Sequence, residues 1–387
     1  MEDRLPKAEV SALDTLRANA SKIADALLPV LAVLAALAIG AIILLMLGAN
    51  PVAAYGALLE GAFGSGNAVA ETIVKATPLL LVGLGICIAF RGNVINIGGE
   101  GQMVVGALLA TLVGLRLTSW PGWVVVPLAM LAGFVGGAIW GGIPGILKAY
   151  FRVNEILSTV MMNAIAVQAM NYLLRGPMID PAQMELASRI PQTAALPEAF
   201  RLPRLAPTRL HLGAFIAVVL AVGVYILLWR TTLGYRIRAV GQNPDASRYG
   251  GIRVRHHVVV ALLLSGAFAG LAGATQVFGV NYRMITDGSA TGFTGSAGFN
   301  GIVAALFGQL HPIGAIPASF LFGALLVGAN KLQRMMQVPS AFITSLNGLV
   351  VVFVVSSDIW RRQRQKRRLA AAQRAAEAAV ADSGGPA

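Results

Sequence analysis

Charge and cysteine are both scarce in this sequence of 387 residues. Only 12% of the residues are Asp, Glu, Lys or Arg, about half the share in an ordinary soluble domain. The single cysteine, Cys87, excludes an internal disulfide and a thiol metal site. The sequence has no GxxxxGKS/T phosphate loop, no HExxH motif and no GxSxG motif. It therefore offers no ATP site of its own and no hydrolase or metalloprotease centre of those types.

Apolar residues dominate what is present. They make up 56% of the chain, and the mean hydropathy is +0.71. Because a helix crosses a bilayer with about 20 apolar residues, the apolar runs predict an all-α polytopic membrane protein. We expect about ten transmembrane helices in two pseudo-repeated halves, with broken helices near the midplane. The predicted crossings are residues 27–48, 72–90, 100–118, 123–147, 155–174, 210–229, 258–280, 299–310, 313–330 and 340–357.

The charged segments predict topology and domain boundaries. Lys and Arg are retained on the cytoplasmic side, so the basic loop 230–257 and the basic tail 358–387 place both termini in the cytoplasm. The formal charge of +13 is then a topology signal, with no nucleic-acid partner. Residues 1–26 are predicted to be a cytoplasmic or interfacial segment, and 27–357 the membrane domain with an extracytoplasmic loop at 175–209. The tail is predicted to be disordered, or to contact anionic headgroups.

Each half contains one Gly-rich, polar interruption, at residues 91–102 and 286–301. Paired interruptions of this kind mark the solute pathway of many transporters, because unwound backbone at membrane depth must face a cavity or be buried in protein. Aromatic faces and amide groups near such breaks could stack against and hydrogen-bond to a small polar solute. The candidate pathway residues are Phe90, Asn93, Asn96, Glu100, Gln102, Phe293, Thr294, Phe299 and Asn300.

Plainer roles remain open for these residues. The first interruption could be a cytoplasmic loop, Glu100 could cap a helix N-terminus, and the phenylalanines could be packing residues. The four histidines lie at crossing ends or in loops and are predicted to be structural or interfacial rather than metal ligands. They are His211, His256, His257 and His311.

The loop 230–257 contains the signal of a short helix. Asn243 is a good N-cap, Pro244 suits the first helical turn, and Asp245 favours the positive end of the helix dipole. The pattern ends at Gly250, a residue type that commonly ends helices. A short capped helix in a cytoplasmic loop predicts a docking surface for another protein, although the basic residues alone would also fit a topology signal.

Three motifs give the sequence a family resemblance: NVINIGGEGQ (93–102), LGYRIRAVGQNPDASRYGGI (233–252) and GFNGIVAALFGQLHP (298–312). They resemble the N-terminal signature, the coupling loop and the C-terminal signature of permease subunits of ATP-binding-cassette (ABC) importers. The branch is the one that handles ribose-type sugars, nucleosides and branched-chain amino acids, and the chain is most similar to its nucleoside-type permeases. The resemblance implies that the ATPase-coupling residues are Gly234, Arg236, Arg238, Gly241, Asn243, Pro244, Asp245, Tyr249 and Gly250.

The resemblance implies a transport subunit rather than an enzyme. ATP and Mg would bind to separate ABC ATPase subunits, and this chain would bind no cofactor. A second permease of different sequence would complete the pathway. A periplasmic or lipoprotein solute-binding protein would deliver solute near residues 49–71 and 175–209. The expected location is a bacterial inner membrane.

Two other functions remain open. A ribose-type sugar permease would carry the same motifs. A secondary transporter or channel also uses broken helices, but it usually contains a buried ionic pair or proton relay. Glu100 has no evident partner in the sequence, and a docking helix would have no purpose in such a protein. The sequence does not identify the solute.

Overall fold

A computed structural model describes residue 31, residues 33–205 and 207–337, and eight single residues between 345 and 363. The chain divides into two compact units, Met1–Pro51 with Val338–Ala387, and Val52–Gln337. The first unit includes the helix α1 (Val33–Met46). The predicted segment 1–26 lies outside the described residues, as do most of the predicted tenth crossing and nearly all of the tail.

The regular secondary structure described in the second unit is helical, which confirms the predicted fold class. Within 52–337 the only strand-like pairings described are two isolated bridges. The helices are α2 (Pro51–Phe63), α3 (Gly66–Arg91), α4 (Gly99–Arg116), α5 (Gly122–Phe151), α6 (Glu155–Arg175), α7 (Pro181–Met184), α8 (Leu212–Arg230), α9 (Thr232–Gln242), α10 (Pro244–Tyr249), α11 (Val254–Gln276), α12 (Ala290–Thr294), α13 (Ala297–Phe307) and α14 (Pro312–Met336). A π-helical turn, Val277–Asn281, extends α11.

Nine of the ten predicted crossings coincide with described helices, and their lengths differ. Six described helices are long and apolar enough to cross a membrane: α3, α5, α6, α8, α11 with its π turn, and α14. The helices α1 and α13 are apolar but shorter, and α4 has 18 residues. The segment 49–71 also holds a helix, α2, that the apolar-run rule did not identify.

The core of this unit forms around α3 and α11. About four-fifths of their most apolar windows is buried inside the protein, at 83% and 78%, against 28% for α5 and 33% for α6 and α8. Small residues let α5 approach α11 closely, since a Cβ on Gly266 would lie 2.2 Å from the Gly137 carbonyl oxygen. The outer faces of α5, α6 and α8 are therefore the surfaces left for lipid or a partner.

The long loop 175–209 is ordered and covers one end of the helices. Its backbone pairs with the segment after α11: the Thr193 N–H donates to the Met284 carbonyl at 2.9 Å, and the Leu196 N–H donates to the Tyr282 carbonyl at 2.8 Å. Phe200 in the same loop is fully buried. The loop is therefore a fixed surface at the end of the molecule opposite the 230–257 loop.

Candidate functional site

The two polar interruptions meet inside the protein, where the N-terminus of α4 faces the N-terminus of α13. The backbones touch at glycine positions, because a Cβ on Gly298 would lie 2.4 Å from the Glu100 nitrogen. On the other side of the contact, a Cβ on Gly99 would lie 3.2 Å from the Gly298 Cα. Two helix breaks that are about two hundred residues apart in the chain thus form one junction.

Glu100 joins the two sides of this junction. Its side chain is 1% exposed. The Thr294 hydroxyl donates to Oε2, and the Phe299 N–H donates to Oε1 at 3.1 Å. The carboxylate lies in the first turn of its own helix and also accepts from the first turn of α13, and negative charge is stabilised at both helix N-termini. Glu100 therefore has partners, 194 and 199 residues away along the chain.

Asn96 and Gln102 form a buried pair of amides beside the junction. Asn96 Nδ2 donates to Gln102 Oε1 at 3.0 Å, and Gln102 Nε2 donates to Asn96 Oδ1 at 3.1 Å. Asn96 also donates to the Ser265 hydroxyl of α11 at 2.8 Å and accepts from the Gly98 N–H at 2.9 Å. Since buried polar groups need partners, this network accounts for both amides without a bound solute.

Helix α6 holds the extended backbone before α4. The Gly101 N–H donates to Asn163 Oδ1 at 2.8 Å, and Asn163 Nδ2 donates to the Ile97 carbonyl at 3.0 Å. One turn earlier, the Thr159 hydroxyl accepts from the Ile97 N–H at 3.4 Å. Sequence reasoning missed Asn163, Thr159 and Ser265. For the first two a signal existed, because they are polar residues at i and i+4 and so lie on one face of a mostly apolar helix.

The candidate pathway residues fall into two groups. Five of them are buried in protein; these are Asn96, Glu100, Gln102, Phe293 and Thr294. The others reach the surface of this chain: Asn93 is exposed in a left-handed conformation, Phe299 is 44% exposed, and Phe90 and Asn300 are half-buried. The structure thus gives the first group packing and hydrogen-bonding roles, while solute contact by either group stays a prediction.

The loop 230–257 folds as two short helices. The Asn243 side chain caps α10, because its Oδ1 accepts from the backbone N–H groups of Asp245 at 3.1 Å and Ala246 at 3.0 Å. The helix ends at Gly250, whose N–H donates to the Ala246 carbonyl. Tyr249 is 96% exposed, and Asp245 is exposed as well. The predicted cap and helix end are thus present, and the side chains of Asp245 and Tyr249 are exposed on the surface of α10.

Helix α9 fixes α10 to the membrane helices through two glycines and an arginine. A Cβ on Gly241 would lie 2.0 Å from the Arg91 carbonyl oxygen, and one on Gly234 would lie 2.0 Å from the Leu227 carbonyl oxygen. Arg238 Nε donates to the Leu228 carbonyl at 2.9 Å. The close contacts therefore seat α9 against the ends of α3 and α8.

Trp229, at the end of α8, connects α9 with the turn after α13. The guanidinium carbons of Arg238 and Arg91 lie 5.7 and 5.2 Å from its ring centroid, and the His311 ring lies 4.9 Å away. Arg91 Nε also donates to the Leu310 carbonyl at 3.2 Å. Burial and the nearby Arg91 lower the pKa of His311. Helix α13 therefore contacts the Glu100 junction at its N-terminus, and the turn that follows it contacts the base of the 230–257 loop.

Broken helices that meet head to head and a capped helix on the surface define this chain as a polytopic membrane transport subunit. Residues 68–355 match the protein family described as "Branched-chain amino acid transport system / permease component", and the chain belongs to that family. This confirms the resemblance on which the coupling residues were assigned.

Several named relatives cover most of the chain. It is 38% identical over 336 residues to the guanosine ABC transporter permease protein NupP of Bacillus subtilis, covering 87% of this chain and 94% of that one. It is 35% identical to the glucose ABC transporter permease protein TsgB13 of Haloferax volcanii, covering 87% and 88%. It is 30% identical to the nucleoside ABC transporter permease protein NupB of Lactococcus lactis, covering 86% and 92%. No solved structure matches the chain.

Proposed function

We propose that this chain is a permease subunit of an ATP-driven ABC importer for nucleosides in a bacterial inner membrane. The observation that carries the proposal is the likeness to a guanosine permease, which extends over 94% of that protein at 38% identity. A second nucleoside permease, with 92% coverage, supports the same solute class. Both termini would lie in the cytoplasm, as would the loop 230–257.

Helix α10 would be the contact with the ATPase. Its exposed Asp245 and Tyr249 are free to enter a groove on a partner, and its Asn243 cap keeps the helix formed before docking. Beside it lies a cavity of about 630 Å³ between α9, α10 and the start of α11. ATP and Mg would be held by separate ATPase subunits, and this chain would bind no cofactor.

Movement at α10 would reach the junction through α9 and α13. Force on α10 passes to α9, whose Gly241 rests on the Arg91 backbone. Arg91 and Arg238 share the Trp229 ring, and Arg91 also holds the carbonyl of Leu310 after α13. A shift of α13 would then act on Glu100 at its other end. Coupling of this type needs an element with two arrangements, and α13 is the candidate.

The remaining partners follow from the same proposal. A second permease of different sequence would complete the solute pathway, and the partly exposed Asn93 and Phe299 are available to line it. A periplasmic or lipoprotein solute-binding protein would dock on the opposite face, at residues 49–71 and 175–209. The ordered packing of the latter loop suits it to a fixed docking surface.

A sugar is the second candidate solute, and one observation favours it. The relative from Haloferax volcanii is a glucose permease, with 35% identity over 88% of its length. Overall likeness separates the two solute classes by only a few per cent identity, so the solute has to be measured. A secondary transporter or channel would differ in a simpler way, since its transport would not depend on an ATPase.

The test is solute uptake in cells that express this chain with its neighbouring ATPase, second permease and binding protein. Labelled guanosine, uridine, ribose and glucose are compared, with and without an ATPase partner that cannot hydrolyse ATP. We expect guanosine or uridine uptake that the inactive ATPase abolishes. Uptake of ribose or glucose alone would replace the nucleoside by a sugar. Uptake that continues with the inactive ATPase would contradict the importer.

A further inference from the structure

A second cavity lies on the far side of the 250–256 turn, where α5 ends and α11 begins. Its volume is about 630 Å³. Its charged lining comes from three different elements: Arg152 follows α5, Arg248 is in α10, and Arg253 and Arg255 begin α11. Neither the solute pathway nor the docking of α10 accounts for four guanidinium groups here.

The charge around this cavity is unbalanced. No acidic residue is among those that line it, and none of the ion pairs found in the described ranges involves these four arginines. The nearby Glu155 is already paired with Lys148. Like charges gathered around one cavity repel each other, so an anion that enters it relieves that repulsion and accepts several charge-assisted hydrogen bonds.

The geometry of the cavity is held by the chain itself. Arg152 adopts a left-handed backbone conformation, with φ at 57°, after the last turn of α5. Few non-glycine residues adopt this conformation, and it directs the chain sharply into α6. The Arg255 guanidinium lies 5.8 Å from the Tyr150 ring centroid, which holds it at the cavity wall. Two of the four arginines, Arg152 and Arg255, are therefore constrained beside the cavity before any ligand arrives.

Exposed apolar residues lie close to Arg152 in the chain, and we refer to them as the apolar rim. Phe151, the last residue of α5, is 70% exposed, and Leu157, in the first turn of α6, is 59% exposed. These helices are among the least buried of the six that are long enough to cross a membrane, so their outer faces are available to acyl chains. A cationic cavity beside an apolar helix face matches a molecule with an anionic head and a hydrocarbon tail.

We propose that this cavity binds the headgroup of an anionic phospholipid, with the acyl chains along the outer face of α5. Since Arg248 belongs to α10, an occupied cavity would also touch the coupling helix. The lipid would come from the leaflet on the side of the 230–257 loop. The choice of leaflet rests on the proposed function, but binding itself does not, and it can be measured without any transport assay.

The experiment uses the purified full chain in liposomes that contain spin-labelled phosphatidylglycerol or spin-labelled phosphatidylcholine. Electron paramagnetic resonance measures the fraction of each label that the protein immobilises. We expect a preference for phosphatidylglycerol that weakens as salt is raised. In a variant with Arg152→Gln, Arg253→Gln and Arg255→Gln, the preference should fall at least about tenfold, because each basic residue at a lipid surface contributes about fivefold.

Two controls separate the site from total charge and from misfolding. Arg175→Gln, Arg189→Gln and Arg204→Gln remove the same charge at the opposite end of the protein and should leave the preference unchanged. Arg→Lys at the three cavity positions keeps the positive charge, and this variant should retain most of the preference for phosphatidylglycerol. If the cavity variant does not fold, the unchanged protein still tests the proposal. A lack of preference for phosphatidylglycerol in the unchanged protein would overturn it.

Two further outcomes would also overturn it. If inorganic phosphate or glycerol 3-phosphate displaces the label at the same concentration as the lipid, the cavity binds a soluble anion and the apolar rim is irrelevant. If the Gln variant keeps its lipid preference but no longer co-purifies with the ATPase, the arginines belong to the protein interface instead. Loss of the preference in the cavity variant alone, with no competition from the soluble anions, supports the lipid site.

Discussion

The Glu100 junction and the exposed helix α10 share the same kinds of residues, but the first is buried and the second lies at the surface. Each combines a helix N-terminus, glycines and an acidic residue in its first turn. At the junction the carboxylate is buried and also caps a second helix. In α10 the Asn243 side chain caps the helix, and Asp245 remains exposed. The acidic residue is therefore buried in a helix contact at the junction, whereas in α10 it stays exposed to a partner or to solvent.

The difference in burial predicts that the junction contributes to the stability of the chain, whereas the exposed residues of α10 contribute little to it. A buried donor left without its acceptor costs free energy in the folded protein, whereas an exposed side chain is solvated in either case. Substitutions at the junction should therefore lower the stability of the chain, and substitutions on α10 should change it little. Two predictions below test these sites, and two others test packed sites at Gly241 and His211, in order of decreasing effect on the free energy of unfolding.

Glu100→Ala should have the largest effect. It leaves the Phe299 N–H buried without an acceptor and removes the partner of the Thr294 hydroxyl. Loss of two hydrogen bonds to a charged group should cost about 3 kcal/mol. We expect a lower melting temperature of the purified chain in detergent. Glu198→Ala is the matched control, because its carboxylate is exposed and forms an ion pair only with Arg201. Equal melting temperatures for the two variants would contradict the buried junction.

Gly241→Ala should come next. Its Cβ would lie 2.0 Å from the Arg91 carbonyl oxygen, so α9 must move away from the end of α3. Such overpacking costs about 2 kcal/mol. The melting temperature should fall, and solute uptake with it. Gly223→Ala in α8 is the comparison, since no atom lies within 4 Å of its added Cβ; that change should not destabilise the chain. A fully stable Gly241→Ala protein would show that α9 is not seated as described.

His211 should make stability depend on pH. It caps α8 through Nδ1, which accepts from the Gly213 N–H at 3.2 Å, and burial together with nearby Arg209 lowers its pKa to about 4. The folded protein therefore keeps this imidazole neutral, while the unfolded chain protonates near pH 6.5. Stability is fully present above about pH 6.5, and about 1.4 kcal/mol of it should be lost by pH 5.5.

The control for this pH dependence is His211→Asn. Asparagine keeps a capping oxygen for α8 but does not titrate. The melting temperature of the variant should change less between pH 7.5 and 5.5 than that of the unchanged chain. The same pH dependence in both proteins would assign the loss of stability to another group.

Asp245→Arg with Tyr249→Ala should have the smallest effect on stability. Both side chains are exposed and neither caps α10. Because Asp245 lies in the first turn of α10, reversing its charge should lower the free energy of unfolding by less than about 1 kcal/mol. Circular dichroism melting of the purified variant checks this expectation, and a large loss of stability would mean that α10 packs through these residues.

Sequence reasoning succeeded where the determining interactions are local. The cap at Asn243 and the end of α10 at Gly250 depend on residues within one helical turn, so their pattern is readable. The long apolar helices were found for the same reason. The helix α2 was missed because its 13 residues are too short for a crossing rule.

Interactions between distant residues could not be predicted from one sequence. The sequence left Glu100 without an evident partner, because Thr294 and Phe299 reach it only after two helix breaks have come together. The close contact of Gly241 with the Arg91 carbonyl and the hydrogen bond from Asn163 to the Ile97 carbonyl likewise form only when distant segments pack together. The polar interruption was expected to face a cavity, and the structure instead satisfies most of its buried side chains within the protein.

The most direct test of the account is the initial rate of labelled guanosine uptake by the assembled transporter carrying Asp245→Arg and Tyr249→Ala in this chain. The variant is compared with the unchanged transporter at equal amounts in the membrane, and its folding is established by the melting measurement above. We predict that uptake falls to the level seen with an inactive ATPase while the chain remains folded. Unchanged uptake would show that α10 does not couple this chain to ATP hydrolysis, and the central claim would be wrong.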